Sequence, residues 1–182
     1  MLVTVKRFLL VFALLALPLA GLPAGAAGQE PLPRLAGLLE QRLELGVEVA
    51  RAKWNSGQPI QDEVREQAVI EATVDRAAAL GIDVALARSL ITDQIAASRL
   101  LQEGLHEEWR RTGQQPFPDA ADLRRDLRPK FDALGGELLS VLKEAEPLLR
   151  TGDGRAAMHA TGLSAMAHRP EPVRTRALAL FR

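Results

Sequence analysis

The sequence predicts an all-α fold, a helical bundle with one long N-terminal helix and about five to six helices in total. The composition is dominated by Ala, Leu, Glu, Arg and Gln, which favour helices. After the N-terminal segment, no stretch alternates β-branched or aromatic residues with the period of two that strands require. Apolar residues instead recur at helical spacing between Gly, Pro and capping residues. We therefore expect one helical domain over residues 28–182.

The first 27 residues have the pattern of a secretory signal peptide. Lys6 and Arg7 precede an apolar run of 13 residues, "FLLVFALLALPLA", and small residues follow it. A membrane anchor is the alternative, but it would need roughly 20 apolar residues without an early proline such as Pro18. We expect cleavage after Ala26 or Ala27, with Ala20 as a second candidate, and a periplasmic or secreted product that has no membrane association after cleavage.

Three helices follow in the predicted mature chain. The first should run from about Pro31 to Trp54, because "NSGQP" then breaks the pattern. Asp62 is suited to cap a second helix from Glu63 to Leu80, with Gly81 as its stop. A third should begin after Asp83 and reach about Arg111.

The remaining elements are less regular. The segment "TGQQPFPDA" is predicted to be a loop, and Asp119 or Asp122 should start the next helical stretch. Pro129 in that stretch either kinks one helix or opens a new one at its first turn. Beyond Pro147 we expect a turn at "RTGDGR", a short helix at "AAMHATGLSAMA" and a helical C-terminal end, without a functional role for residues 150–182.

Composition excludes several classes of function. Loss of the signal peptide would leave 21 basic and 23 acidic residues, so the mature chain has no electrostatic footprint for nucleic acid. There is no cysteine and hence no thiol chemistry. The three histidines, His106, His159 and His168, form no pair with ligand spacing and an acidic partner, so no metal site is predicted.

Polar residues interrupt the predicted apolar faces in a specific pattern. Arg42 and Lys53 are 11 positions apart, which places both on one side of a helix with backbones roughly 16 Å apart. Asp62 and Arg65 open the second helix. Ser98 and Gln102 form an i, i+4 pair on the third, and Arg128 precedes Pro129.

Each of these residues also has a purely structural explanation. Arg42 could place its charge in solvent, and Lys53 could interact with a helix C-terminus. Asp62 could be only a cap with Arg65 as its local partner, Ser98 and Gln102 only a contact between helices, and Arg128 only the ion partner of Asp132.

Together, however, four cations directed at one interior would repel each other, and Asp62 cannot compensate them. Arginine binds carboxylates through two parallel hydrogen bonds. The pattern therefore predicts a small ligand with two carboxylates.

The same residues resemble the all-helical chorismate mutases, and among them the exported, monofunctional subclass. The resemblance spans about residues 35–142 and is densest in "RLELGVEVARAKW", "QPIQDEVRE", "ITDQIAASRLLQ" and "DLRRDLRPKFDAL". It implies rearrangement of chorismate to prephenate, a step in the biosynthesis of Phe and Tyr, without a cofactor or a covalent intermediate. Members of this family commonly form homodimers, so a homodimer is one assembly expected here.

The resemblance also implies a role for each residue. Arg42, Arg65 and Arg128 would hold the carboxylates, with Ser98 in support. Lys53 and Gln102 would donate hydrogen bonds to the ether oxygen of the breaking bond. Asp62, assisted by Glu66, would contact the ring hydroxyl. In cytosolic relatives one of the arginines comes from the other subunit, and Arg128 is our candidate for its replacement within this chain.

Gln102 leads to an expectation about pH. Some family members have Glu at this position, which must be protonated to donate, whereas an amide always has donors. Activity should therefore change little between about pH 5 and 8.

Two other functions remain open. One is a non-catalytic exported helical bundle that binds ligands or acts like a chaperone. The other is the same fold acting on isochorismate.

Overall fold

The computed structural model of the protein describes residues 30–182, and helices make up most of this part. The six α-helices are α1 (Pro31–Ser56), α2 (Glu63–Leu80), α3 (Val84–Thr112), α4 (Arg128–Leu149), α5 (Gly152–Ala165) and α6 (Glu171–Ala177). A π-helical turn (Leu123–Leu127) precedes α4, and a 3-10 turn (Ala179–Phe181) ends the chain. No strand occurs among these residues, so the all-α prediction is confirmed. The predicted signal peptide, residues 1–27, lies outside the described part.

The bounds of the first three helices follow the local chemistry of the chain. The Asp62 side chain accepts from the backbone N–H of Arg65 at 3.0 Å and caps α2. Gly81 ends α2 with a φ of 70°, a left-handed conformation that glycine adopts without steric cost. Asp83 caps α3 by accepting from Ala85 and Leu86. The predicted bounds of α2 are therefore confirmed, and those of α1 and α3 agree within two residues.

Helix α1 is the central element of the bundle. It packs against α3, α4 and α5, whereas α3 also contacts α2 and α6. Because three helices cover it, α1 is buried on more than one face, and Leu39, Leu43 and Ala50 are fully buried. Leu45 and Val49, which recur at helical spacing between Arg42 and Lys53, are only partly buried. None of the helices described between residues 30 and 182 has the length and apolar character that crossing a membrane would require.

The predicted turn at "RTGDGR" is shorter than expected, because only Arg150 and Thr151 lie between α4 and α5. Thr151 accepts a hydrogen bond from the backbone N–H of Gly154 at 3.0 Å and caps α5, so residues 152–155 already form its first turn. A side chain at Gly154 would place its Cβ 2.0 Å from the carbonyl oxygen of Leu148. The glycine therefore permits α5 to start directly against the end of α4, which composition alone did not indicate.

The structure also decides between the two expectations for Pro129. It lies in the first turn of α4, where its missing N–H removes no helical hydrogen bond. Asp122 caps the preceding π-helical turn by accepting from Arg124 and Arg125 at 2.8 and 2.7 Å. Of the two candidates for the start of this stretch, Asp122 is the cap.

The C-terminal segment packs against the bundle. Val173, Ala177, Leu178 and Phe181 are buried, and Arg176 pairs with Asp93 of α3 at 3.0 Å. This segment therefore completes the core on the side of α3 that faces α6.

Candidate active site

A cavity of about 240 Å³ lies among α1, α2, α3 and the start of α4. Its wall contains all eight residues that the sequence singles out: Arg42, Lys53, Asp62, Arg65, Glu66, Ser98, Gln102 and Arg128. Six cationic and three acidic residues line it in all, so the cavity has an excess of positive charge. The fold thus brings together side chains from four separate segments of the chain.

Arg42 is the buried cation of this group. It is 8% exposed, and its guanidinium lies 5.0 Å from the centre of the Phe131 ring. Burial lowers its pKa well below the ordinary value, to about 10, with no compensating acid among residues 30–182. The aromatic face offers a partial partner for the charge, but a carboxylate would be a better one.

Lys53 lies three turns further along α1 and is half-buried. Its Nζ donates to the carbonyl oxygen of Ile60 at 2.5 Å. Burial lowers the pKa of Lys53, and the charges of Asp62 and Glu66 oppose that shift. An ammonium has three donors, so this contact fixes its position and leaves donors for a ligand.

Helix α2 contributes its first turn to the wall. Asp62 is exposed at the mouth of the cavity, while Arg65 and Glu66 are partly buried. A carboxylate oxygen of Glu66 lies 3.5 Å from Arg99 of α3, which holds that side chain at the boundary between the two helices.

Helix α3 supplies the predicted i, i+4 pair. The Nε2 of Gln102 donates to Ser98 Oγ at 3.0 Å, and the Oε1 of Gln102 is buried without a partner in the described chain. A Cβ added to Gly46 of α1 would lie 2.7 Å from Ser98 Oγ. The missing side chain of Gly46 therefore allows α1 and α3 to approach closely, which places Ser98 beside the helix that bears Arg42 and Lys53.

Arg128 is the first residue of α4 and forms part of the cavity wall. It is exposed, as is Asp62, so the expectation that all these polar residues occupy buried faces is wrong for these two. Both stand at helix N-termini at the cavity mouth: Asp62 follows a loop, and Arg128 follows the π-helical turn. Burial at the site is thus graded from Arg42 and Gln102 inside to Asp62 and Arg128 outside.

Other polar residues of the wall were not predicted, among them Gln94 and Arg76. Gln94 is fully buried and donates to the carbonyl oxygen of Ala177 at 3.4 Å. It precedes Ser98 by four residues, so the spacing that links Ser98 to Gln102 could have identified it. Arg76 follows Arg65 by 11 residues, which is also the spacing of Arg42 and Lys53, so that spacing could have identified it.

Outside the cavity, Glu40, Glu44 and His168 each place a potential metal ligand within 4.8 Å of the others. The Arg169 guanidinium already pairs with both carboxylates. A protein cation therefore occupies the position in which these acids would hold a metal.

Comparison with known proteins identifies the family of the chain. Residues 34–103 match the family model described as chorismate mutase type II. The chain is 31% identical over 140 residues to a secreted chorismate mutase of Mycolicibacterium smegmatis, covering 76% of this chain and 77% of that protein. It is 28% identical over 123 residues to a secreted chorismate mutase of Mycobacterium tuberculosis, covering 68% and 61%. The crystal structure of chorismate mutase from Burkholderia thailandensis superposes with a TM-score of 0.73 at 35% identity, covering 83% of this chain and 96% of that one. The chain therefore belongs to the type II chorismate mutase family and is an isomerase.

Proposed function

We propose that the cavity binds chorismate and converts it to prephenate by a pericyclic rearrangement, supplying this step of Phe and Tyr biosynthesis. The observation that carries the proposal is the convergence of Arg42, Lys53, Arg65 and Arg128 on one cavity. Its wall has three more cationic than acidic residues, and a dicarboxylate would neutralise most of that excess. The ligand thus supplies the negative charge that the protein lacks at this site.

Binding restricts the shape of the substrate. Arg42 and Arg65 from inside, with Arg128 at the mouth, hold the two carboxylates, and the hydroxyl of Ser98 supports one of them. The Ser98 oxygen accepts from Gln102, so its own hydrogen is free to donate to a carboxylate. Holding both ends keeps the flexible side arm folded over the ring, which removes much of the entropic barrier.

Charge stabilisation then acts on the breaking bond. In this rearrangement the carbon–oxygen bond breaks ahead of full carbon–carbon bond formation, so negative charge grows on the ether oxygen. Lys53 and the second N–H of the Gln102 amide donate to that oxygen. Gln102 is buried and Lys53 is half-buried, and because both donors are already in place before the charge develops, they stabilise the transition state more than the ground state. Asp62, assisted by Glu66, orients the ring through its hydroxyl. The proposed steps require no cofactor.

We further propose that the protein acts outside the cytoplasm, in the periplasm or secreted. The residues 1–27 have the signal-peptide pattern, and two relatives are named as secreted enzymes. Mass spectrometry of the exported product would locate the cleavage site. A homodimer stays a prediction that sedimentation of the mature protein would test.

Conversion of chorismate by the purified mature chain tests the proposed activity. We expect loss of chorismate absorbance with the appearance of prephenate, and a fall in kcat/KM of more than about 100-fold in Arg42→Ala, as for loss of a group that binds the transition state. Arg34→Ala is the matched control, since Arg34 also lies on α1 but pairs with Glu144 away from the cavity. A folded protein that leaves chorismate unchanged would refute the proposal.

The same experiment separates the two alternatives. When isochorismate is offered as a second substrate, release of pyruvate without conversion of chorismate would favour the alternative in which the same fold acts on isochorismate. A non-catalytic bundle would show changes in Tm for Arg42→Ala and Lys53→Ala without any reaction in the wild type.

A further inference from the structure

Residues 113–122 form the linker between α3 and the π-helical turn and have little regular structure. The middle of this linker is attached to the C-terminal end of α1. The Nδ2 of Asn55 donates to the carbonyl oxygen of Phe117 at 2.7 Å. In return, the backbone N–H of Phe117 donates to Asn55 Oδ1 at 2.8 Å. One side chain near the end of α1 thus satisfies both backbone groups of a single linker residue.

Arg51, one turn before Asn55, adds a second attachment. It donates to Asp119 at 2.5 Å, and its guanidinium lies 4.8 Å from the centre of the Phe117 ring. The other neighbour of that ring is Trp109 of α3, at 4.8 Å. Asp119 is 72% exposed, so solvent screens the ion pair, and we assign the main restraint to Asn55.

This attachment lies just upstream of the part of the chain that lines the cavity. Asp122, three residues after Asp119, caps the π-helical turn, and Leu123, Leu127 and Arg128 then form part of the cavity wall. Among residues 30–182, no carboxylate forms an ion pair with Arg128, so its place is set by its backbone. Arg51 and Asn55 lie on either side of Lys53 in α1, and the linker therefore ties Arg128 to the helix end that bears Lys53.

We propose that Asn55, with Arg51, is a positioning residue that holds Arg128 at the correct distance from Lys53. The inference rests on the proposed role of Arg128 in binding a substrate carboxylate. Neither Asn55 nor Arg51 lines the cavity, so both act through the linker.

A double-mutant cycle with chorismate tests this coupling. Asn55→Ala should lower kcat/KM about tenfold, mainly through a higher KM, because small displacements of a binding group cost up to about 100-fold. In the Arg128→Ala background, the same substitution should change kcat/KM by less than about twofold, since residues that act through one another are not additive. Asn55→Asp keeps the acceptor for the N–H of Phe117 but loses the donor, so its kcat/KM should be intermediate.

The matched control is Gln115→Ala. Gln115 is an exposed linker residue whose side chain bonds only within the linker, to Gly113, and its removal should leave kcat/KM unchanged. Equal losses for Asn55→Ala in the wild-type and Arg128→Ala backgrounds would overturn the inference, because they would show that Asn55 acts without Arg128.

Hydrogen exchange gives a second measurement that does not depend on activity. In Asn55→Ala, the amides of residues 123–128 should exchange faster than in the wild type, and in Gln115→Ala they should not. Unchanged exchange would contradict the positioning role even in an active enzyme. A wild type that fails to convert chorismate would instead refute the proposed function, and the exchange data would still decide whether Asn55 holds the linker.

Discussion

Arg42→Met should make the free protein more stable while removing its activity. The guanidinium of Arg42 is 8% exposed, and Phe131 is its close partner rather than an acid. Methionine keeps an apolar stem at this position and removes the charge. Because the charge is present for a ligand rather than for the fold, we expect stability and function to change in opposite directions.

The magnitude follows from the pKa of Arg42. Burial lowers that pKa well below the ordinary value, to about 10, and at 1.36 kcal/mol per pKa unit the buried charge costs about 3 kcal/mol of folding free energy. Loss of the contact with the Phe131 ring offsets roughly 1 kcal/mol of this gain. We expect Arg42→Met to be stabilised by about 1–2 kcal/mol, which raises Tm by about 2–8 °C for a domain of this size.

The pH dependence provides an internal check. A cation whose pKa is lower in the folded than in the unfolded protein destabilises the fold fully below its folded pKa. This destabilisation declines as the pH rises through about 10, the pKa of Arg42 in the folded protein. The difference in stability between wild type and Arg42→Met should therefore be constant from about pH 6 to 9 and shrink above pH 10.

Urea unfolding followed by circular dichroism would measure both effects. Arg34→Met is the control, because Arg34 on the same helix is partly exposed and pairs with Glu144 at 2.6 Å, so its removal should be neutral or slightly destabilising. Added prephenate should raise the Tm of the wild type and not that of Arg42→Met. A destabilised Arg42→Met would refute the reasoning, since it would show that the charge is already compensated in the free protein.

Two other substitutions test different parts of the structure. Gln102→Glu should shift the activity optimum to acid pH, because a carboxyl group must be protonated to donate as the amide does. The activity of the wild type should vary little between about pH 5 and 8, and a pH–rate profile of kcat distinguishes the two proteins. Steep loss of wild-type activity through neutral pH would contradict the assigned role of Gln102. Gly162→Ala should destabilise the protein by about 1–3 kcal/mol, since the added Cβ would lie 2.4 Å from Leu178 in the core. Because this contact is away from the cavity, kcat/KM should stay nearly unchanged. Urea unfolding and steady-state kinetics would test both expectations, and unaltered stability would mean that the C-terminal segment is loosely packed.

Local chemistry explains why so many elements could be predicted. The caps at Asp62 and Asp83 and the glycine at Gly81 act within four residues of the helix ends that they set. The spacing of Ser98 and Gln102 likewise placed two side chains on one face before any tertiary contact was known, and the hydrogen bond between them confirms it. The turn predicted at "RTGDGR" was too long because the start of α5 depends on Gly154 lying against Leu148, a packing contact that propensity does not contain.

Burial within the site could not be predicted in the same way. The sequence treats Arg42 and Arg128 alike, as cations interrupting a helical pattern, yet Arg42 is buried and Arg128 is exposed at a helix N-terminus. The attachment of the linker joins Asn55 to Phe117, 62 positions apart, and nothing near either residue indicates the other. Such pairings depend on how the helices pack.

By itself, the sequence determined the helical class, the bounds of α1 to α3 and the set of charged and amide side chains that match a dianionic substrate. These properties follow from short-range periodicity and capping, which a linear pattern contains. Only the tertiary structure decided that the four cations share one cavity, that Arg42 has its pKa lowered by burial, and that the linker reaches α1 before entering the site. The physical reason is that burial and charge compensation depend on distances between segments remote along the chain.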